Sequence, residues 1–277
     1  MLATAVIFLR EGVEASMIVA ILLAYLNRSG RRRYFRDVFI GVGAALGLAA
    51  VAGLLAYLTI RTYAGSRVQT IFETLTFLLA AVLLTYMTFW MRSHARGLKA
   101  ELQTRADEAM GRGARTGLSL LAFQAVGREG IETVVFTLAI AFSSTGGQSG
   151  LLAGALVGLA IAMAIALAMY RLGHRINIGR FFTVVGTLLM VFAAGLLVDA
   201  VQNMQELGWL PVATRQLWHT GTILNENSAL GDIAHSFFGY AQSPTVLQAV
   251  VYVAYLAGVL AAFYSVRQRL ARRAVAR

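Results

Sequence analysis

Arg10-Glu11-Gly12-Val13-Glu14 stands inside an apolar N-terminal run and returns as Arg128-Glu129-Gly130-Ile131-Glu132 inside a second one, 118 residues later. Phe8 and Leu9 precede the first copy, Ala125 and Val126 the second. A charged side chain near the middle of a membrane helix costs about 2.5–3.5 kcal/mol. Three such residues in one apolar segment, twice over, need a partner or a purpose.

The chain around them has the composition of a membrane protein. Of its 277 residues 58% are hydrophobic and 13% charged, against about a quarter charged in an ordinary soluble domain. Uncharged stretches at 41–60, 74–90 and 150–170 approach or reach the roughly 20 residues that cross a bilayer as a helix. Their length and Leu/Ala richness select helices over strands. The net charge of +11 is carried by short loops between apolar runs, which reads as a topology signal and not as a nucleic-acid surface. The chain has no Cys, so it has neither disulfides nor thiolate ligands for soft metals. Arg10, Glu11 and Glu14 interrupt what would be the apolar core of a signal peptide, so the first segment is expected to persist as a helix.

The fold class expected is all-α: a polytopic membrane protein with seven transmembrane helices, near 4–26, 37–60, 70–92, 117–142, 149–170, 179–203 and 245–266. Alternate loops, together with the C-terminal tail, carry 19 basic residues, and the opposite loops only Arg61, Arg67 and Arg215. This bias places the N-terminus outside and the C-terminus in the cytoplasm, a parity that seven spans satisfy. The whole chain then forms one transmembrane domain: repeat one over about 1–92, a cytoplasmic linker over 93–116, repeat two over about 117–203, an outer loop over 204–244 and a last helix over about 245–266. Glu101 and Arg105, four residues apart, favour a helix in the linker. The outer loop holds Trp209, Trp218, His219, Glu226, Asp232 and His235; an ordinary re-entry loop and a metal-collecting one fit it equally.

Each half has three spans, an odd number, so the second copy crosses in the opposite sense. This 3+3 inverted repeat is the logic of many transporters, whose substrate site lies near the midplane between repeats. At about 1.5 Å per residue both motifs fall near mid-membrane. Gly43 and Gly47 in the second span, with Gly154 and Gly158 in the fifth, are the candidate close-contact pairs.

Glu11 and Glu14 share one helix face, as do Glu129 and Glu132. Four facing carboxylates make a hard, anionic, all-oxygen metal site. Empty, such a cluster cannot stay fully ionised; protons or the motif partners Arg10 and Arg128 must neutralise it, which links cation entry to proton release or arginine displacement. The plainer reading is two buried Arg–Glu bridges, Arg10–Glu14 and Arg128–Glu132, that only fix helix packing; it leaves Glu11 and Glu129 unexplained. Glu73 and Asp199, near the outer ends of their spans, are possible entry ligands or interfacial carboxylates reaching water. His94 and His174 at inner ends could accept metal on exit, with a solvated loop histidine as the alternative. No HExxH motif and no Cys nucleophile occurs. A symmetric duplication suits a pathway better than an acid–base active site, so the chain is read as a transporter and not an enzyme.

The doubled motif at this spacing, the Phe72-Glu73 pair, the 86–92 stretch and the 235–244 stretch together resemble the oxidase-dependent iron permease family, with its bacterial EfeU-type and fungal high-affinity members. The resemblance covers nearly the whole chain. It implies a high-affinity permease in the cytoplasmic membrane that moves iron, ferric after extracytoplasmic oxidation, through Glu11, Glu14, Glu129 and Glu132. It also implies a redox or iron-binding partner protein outside, and iron as cargo, with no cofactor. Some relatives are described as lead-uptake proteins. Another heavy or divalent cation, lead or manganese, or a proton-coupled exchanger, is therefore the alternative reading.

Overall fold

The computed structural model describes residues 1–94, 97–111, 113–144, 148–172, 178–226 and 228–275. Among these residues the chain is helical: α1 Leu2–Arg28, α2 Phe35–Arg61, α3 Arg67–His94, α4 Leu98–Gly111, α5 Ala114–Ser143, α6 Gln148–Leu172, α7 Ile178–Glu206, α8 Ala229–Phe238 and α9 Val246–Val275. The helices run past the sequence-expected ends because backbone groups bond within a helix until a real stop arrives.

Five helices, α2, α3, α6, α7 and α9, are long and apolar enough to cross a membrane. Helices α1 and α5 are as long, but each carries two glutamates and an arginine mid-helix. The surface is inverted relative to a soluble protein. Leu46, Leu54 and Leu58 on α2, Leu152 and Leu156 on α6, and Val253 on α9 are exposed, while Arg10, Glu11, Glu14, Glu129 and Glu132 are buried. An apolar exterior around a charged interior is what a hydrocarbon solvent selects. Hydroxyls follow the same demand: Thr74, Thr76, Thr88, Thr133 and Thr137 each donate to the carbonyl four residues earlier. The chain is thus a multi-pass membrane protein.

The most extensive pairings are α2 with α5, α1 with α6, and α3 with α7; α1 and α5 also pack on each other. Small residues bring the backbones together. A Cβ at Gly41 would lie 2.1 Å from the Ser119 carbonyl oxygen, and one at Gly154 would lie 2.4 Å from that of Met1. Gly43 and Gly47, expected to be the contact pair of α2, instead face outward with nothing within 4 Å. The contact stripe runs through Gly41, Ala45 and Ala49, the buried positions of that helix segment. A spacing of four does not reveal which of two offset small-residue stripes meets the neighbour.

Two apolar clusters lie at opposite ends of the α1–α5 pair. One joins Ala3 and Ile7 of α1 to Phe136, Ala139 and Ile140 of α5, with Phe77, Phe192 and Phe237 around them. The other joins Ile18, Leu22 and Leu26 of α1 to Leu118, Leu121 and Ala122 of α5, with Leu102 and Ala106 of α4. Early α1 thus meets late α5 and late α1 meets early α5, so the two helices are antiparallel. Residues 10–14 and 128–132 fall between the clusters.

Helices α4 and α8 mark the two ends. Helix α4 packs on α1 and α5 through Leu102 and Ala106, keeps Glu101 and Arg105 on its open face, and is tied to α1 by the Tyr25 hydroxyl donating to Asp107. Helix α8 was not expected within the outer loop. Its ten residues are capped at one end by Ser228, whose Oγ accepts from the Gly231 N–H, and at the other by left-handed Gly239. A Cβ at Gly239 would also stand 2.4 Å from Gly195 Cα of α7, so both backbone conformation and close approach require glycine there.

Candidate metal centre

Helix periodicity places Glu11 and Glu14 on the α1 face turned to α5, and Glu129 on the α5 face turned back. One carboxylate oxygen from each of these three buried residues can be chosen so that all lie within 4.8 Å of one another. Glu132 stands beside the triad but outside it: its Oε1 accepts from Arg128 Nε at 3.0 Å. The four expected ligands are therefore brought to one region, three as a mutually close set and the fourth beside it, held by Arg128.

The two motif arginines are placed unequally. Arg10 is 2% exposed, with Nη1 2.6 Å from Glu11 Oε1 and Nη2 3.4 Å from Glu14 Oε1. Arg128 keeps 41% of its side chain exposed, lies over the Trp90 ring at 4.7 Å from its centroid and donates to the Met87 sulfur at 2.8 Å. Because α1 and α5 run oppositely, Arg10 sits on the α8 side of the carboxylates and Arg128 on the α4 side. Among the described residues Glu129 has no ion-pair partner. Glu11 Oε2, Glu14 Oε1, Glu129 Oε2 and Glu132 Oε2 are buried without a hydrogen-bond partner. Four such oxygens in one region, of which Glu14 Oε1 has a guanidinium nearby at 3.4 Å, call for a cation or a proton among them. Close carboxylate oxygens supply what a hard cation takes from a protein.

A cavity of about 160 Å³ reaches this region from the α4 side. Glu14, Glu129 and Arg128 line it together with Trp90 and Met91 of α3 and Leu98, Glu101, Leu102 and Arg105 of α4. On the α8 side the aromatic and aliphatic cluster around Ile7, Phe136, Phe192 and Phe237 covers the carboxylates.

Glu73 and Asp199 both lie toward the α8 end, away from the triad. Glu73 is half-buried and accepts from Gln69 Nε2 at 2.7 Å. Asp199 is 7% exposed; its Oδ2 accepts from Ser143 Oγ at 2.6 Å and its Oδ1 lies 3.8 Å from His235 Nε2. The side chain of His94 and all of His174 lie outside the described residues. Sequence reasoning missed Trp90, Met87, Ser143 and the α4 wall of the cavity. Their side chains carry no pattern that distinguishes a site wall from ordinary packing; only the Glu101–Arg105 spacing left a trace.

The chain is similar to known proteins along nearly its whole length. The family model described as the Iron permease FTR1 family matches residues 1–271. The chain is 34% identical over 259 residues to a protein named ferrous iron permease EfeU from Escherichia coli O6:K15:H31, covering 93% of each chain. It is similar to the same degree to the protein of that name from Shigella sonnei. The protein of that name from Yersinia pestis is 33% identical over 272 residues, covering 98% of this chain and 95% of the other. No solved structure matches. With the family match running from the first residue to near the last, and its buried carboxylates on the two central helices, the chain belongs to the iron permease FTR1 family.

Proposed function

We propose that this protein carries iron across the cytoplasmic membrane by way of Glu11, Glu14 and Glu129, with Glu132 held beside them by Arg128 and the two arginines balancing the carboxylates' charge. The observation that carries the reading is the buried triad, whose oxygens come within 4.8 Å of one another from two antiparallel helices. Desolvated carboxylates this close are costly without a cation, proton or guanidinium among them, and the cavity gives a cation a way to or from them.

In this reading α1, α2, α3, α5, α6, α7 and α9 are seven spans, the first six of them a 3+3 inverted repeat. The packing supports it. Exchanging the halves turns the α1–α6 pair into α5–α2 and leaves α3–α7 and α1–α5 unchanged, and these are prominent contacts of the bundle. The loop charges put the N-terminus and α8 outside and α4 and the C-terminus in the cytoplasm. A thiol placed next to Arg267, in this cysteine-free chain, is then expected to react with membrane-impermeant reagents only from the cytoplasm; labelling from outside would overturn the orientation.

The resemblance favours ferric iron, oxidised outside with the help of an extracytoplasmic redox or iron-binding partner. The relatives' names state ferrous iron, and an all-carboxylate site suits either hard Fe(III) or borderline Fe(II). Uptake of radiolabelled iron into proteoliposomes, with ascorbate or with an oxidant, separates the two. Competition by lead or manganese in the same assay tests the alternative cargo. If protons are released as the cation binds, an imposed pH gradient alters the uptake rate; indifference to the gradient removes the exchanger reading. Glu14→Gln and Glu129→Gln are each expected to lower uptake at least about tenfold, the scale of a lost charged ligand. Unchanged uptake in both sinks the midplane site.

A further inference from the structure

Helix α4 contributes an acidic group to the wall of the carboxylate cavity. Glu14 and Glu129 line one part of the cavity and Glu101 and Arg105 another. At about 160 Å³ the space is large enough for several water molecules. Met17, Ile18, Met91, Leu98 and Leu121 form much of the rest of its wall, and apolar walls strengthen electrostatic attraction along such a passage. Arg128 and Arg105 also border it and oppose the movement of a cation toward α4. Among the described residues Glu101 is the only carboxylate lining it besides Glu14 and Glu129. It holds Arg105 at 2.6 Å while both side chains remain substantially exposed, at 45% and 59%.

We infer that Glu101 is a second, transient ligand for the transported cation, accepting it from the Glu14 and Glu129 end of the cavity before release, and that Arg105 is a positioning residue that occupies Glu101 until the cation arrives. This deepens the iron-permease reading and rests on it. The ligand is a hydrated hard or borderline metal cation. A carboxylate that is itself exposed and has an exposed partner binds weakly enough to let it go, whereas the buried triad does not. A solely structural pair makes a different forecast. An exposed i,i+4 ion pair adds little to a helix, and breaking it from either side has the same small effect. In the transfer role the two sides differ in sign. Losing Glu101 removes a ligand and frees a repelling guanidinium; losing Arg105 frees a ligand.

The chain has no cysteine, so Glu101→Cys gives one addressable thiol. Purified protein is treated in detergent with a carboxylate-bearing or an amine-bearing methanethiosulfonate and then reconstituted. Two quantities are read: the initial rate of radiolabelled iron uptake, and equilibrium iron binding through Trp90 fluorescence in a Trp209→Phe, Trp218→Phe background. Expected is a fall in maximal rate of about fivefold or more for Glu101→Cys, from the loss of one charge–charge attraction across a short passage. The carboxylate adduct restores the rate and the amine adduct does not, with equilibrium iron binding unchanged throughout. Arg105→Gln transports at or above the wild-type rate. A wild-type rate in unmodified Glu101→Cys, restoration by both adducts, or equal losses in Glu101→Cys and Arg105→Gln overturns the inference. Failure of the underlying reading looks different: wild-type protein would neither bind nor take up iron, whatever stands at position 101.

Discussion

Gly130 on α5 approaches Ala49 on α2 so closely that a β-carbon on the glycine would lie 2.9 Å from the alanine's. Gly12 on α1 meets Ala162 on α6 in the same way, at 2.8 Å. The relationship extends along both pairs. Gly41 packs against Ser119 and Ala122, and Gly154 against Met1 and Thr4; a shift of 118 residues carries Met1 to Ser119 and Thr4 to Ala122. Each motif glycine thus lets an outer helix press on a central one next to the carboxylates, and the two halves do this equivalently, as the proposed inverted repeat requires. Substitutions at the deepest of these contacts should be costly. Gly41→Val and Gly154→Val push a side chain into backbone carbonyls that cannot move aside, and each is expected to destabilise by about 1–3 kcal/mol or more. Gly43→Ala and Gly47→Ala, in open space, are expected to be neutral or to stabilise by up to about 1 kcal/mol. Thermal unfolding in detergent, followed by size-exclusion chromatography, measures both; equal behaviour of the two sets would contradict the packing.

The unequal burial of Arg10 and Arg128 gives a second forecast. Arg10 is sealed between the carboxylates and the α8-side cluster, so Arg10→Gln leaves Glu11 and Glu14 without their counter-charge in a water-poor site. Breaking a buried pair from one side costs about 3–5 kcal/mol. Arg128 reaches the cavity, where water can take over part of its role, but its partner Glu132 is buried, so Arg128→Gln is expected to cost about 1–3 kcal/mol, less than Arg10→Gln. The same unfolding assay decides. A larger loss at Arg128 would mean that the inequality of the two arginines is not the resting state of the protein.

Much of this was legible in the residues, and the remainder has a physical reason for being hidden. Long uncharged runs fix helices in a hydrocarbon solvent, and the duplicated Arg-Glu-Gly-x-Glu reads directly as charge buried mid-helix, because nothing cheap explains it there. The linker helix was foreseen from the spacing of Glu101 and Arg105, and that ion pair is present in α4. Helix α8 was not foreseen: ten residues inside a long polar loop carry too short a periodic signal. Nor was the contact stripe of α2. Nearly every position in that helix is apolar or small, so its sequence does not say which face meets α5. The division of the four glutamates into a triad and a fourth held by Arg128 depends on side-chain reach, which the five-residue motif, nearly identical in its two copies, conceals.

That division is testable by binding. Among the described residues Glu129 has no ion-pair partner and belongs to the triad, whereas Glu132 is engaged by Arg128. Glu129→Gln should weaken iron binding to purified protein by about tenfold or more, and Glu132→Gln by no more than about threefold, since the latter loses a charge already compensated. Isothermal titration or Trp90 fluorescence gives the two constants. Equal losses would make the four carboxylates one site of equivalent ligands.

Asp199 permits a last separation, between holding the bundle together and receiving the cation from outside. Ser143 Oγ donates to its Oδ2 at 2.6 Å, which ties the end of α5 to α7, and His235 of α8 lies beside its other oxygen. Asp199→Ala strands the buried Ser143 hydroxyl and is expected to cost about 1–3 kcal/mol. Asp199→Asn can still accept from Ser143 through its amide oxygen, so most of that stability should return while the negative charge does not. If Asp199 only anchors helices, iron uptake by the Asn variant matches wild type. If it is an entry ligand, the reading open to it from its place near the expected outer end of its span, the Asn variant folds normally but needs a several-fold higher iron concentration for half-maximal uptake. The maximal rate should change little, because the lost interaction acts before the buried triad is reached.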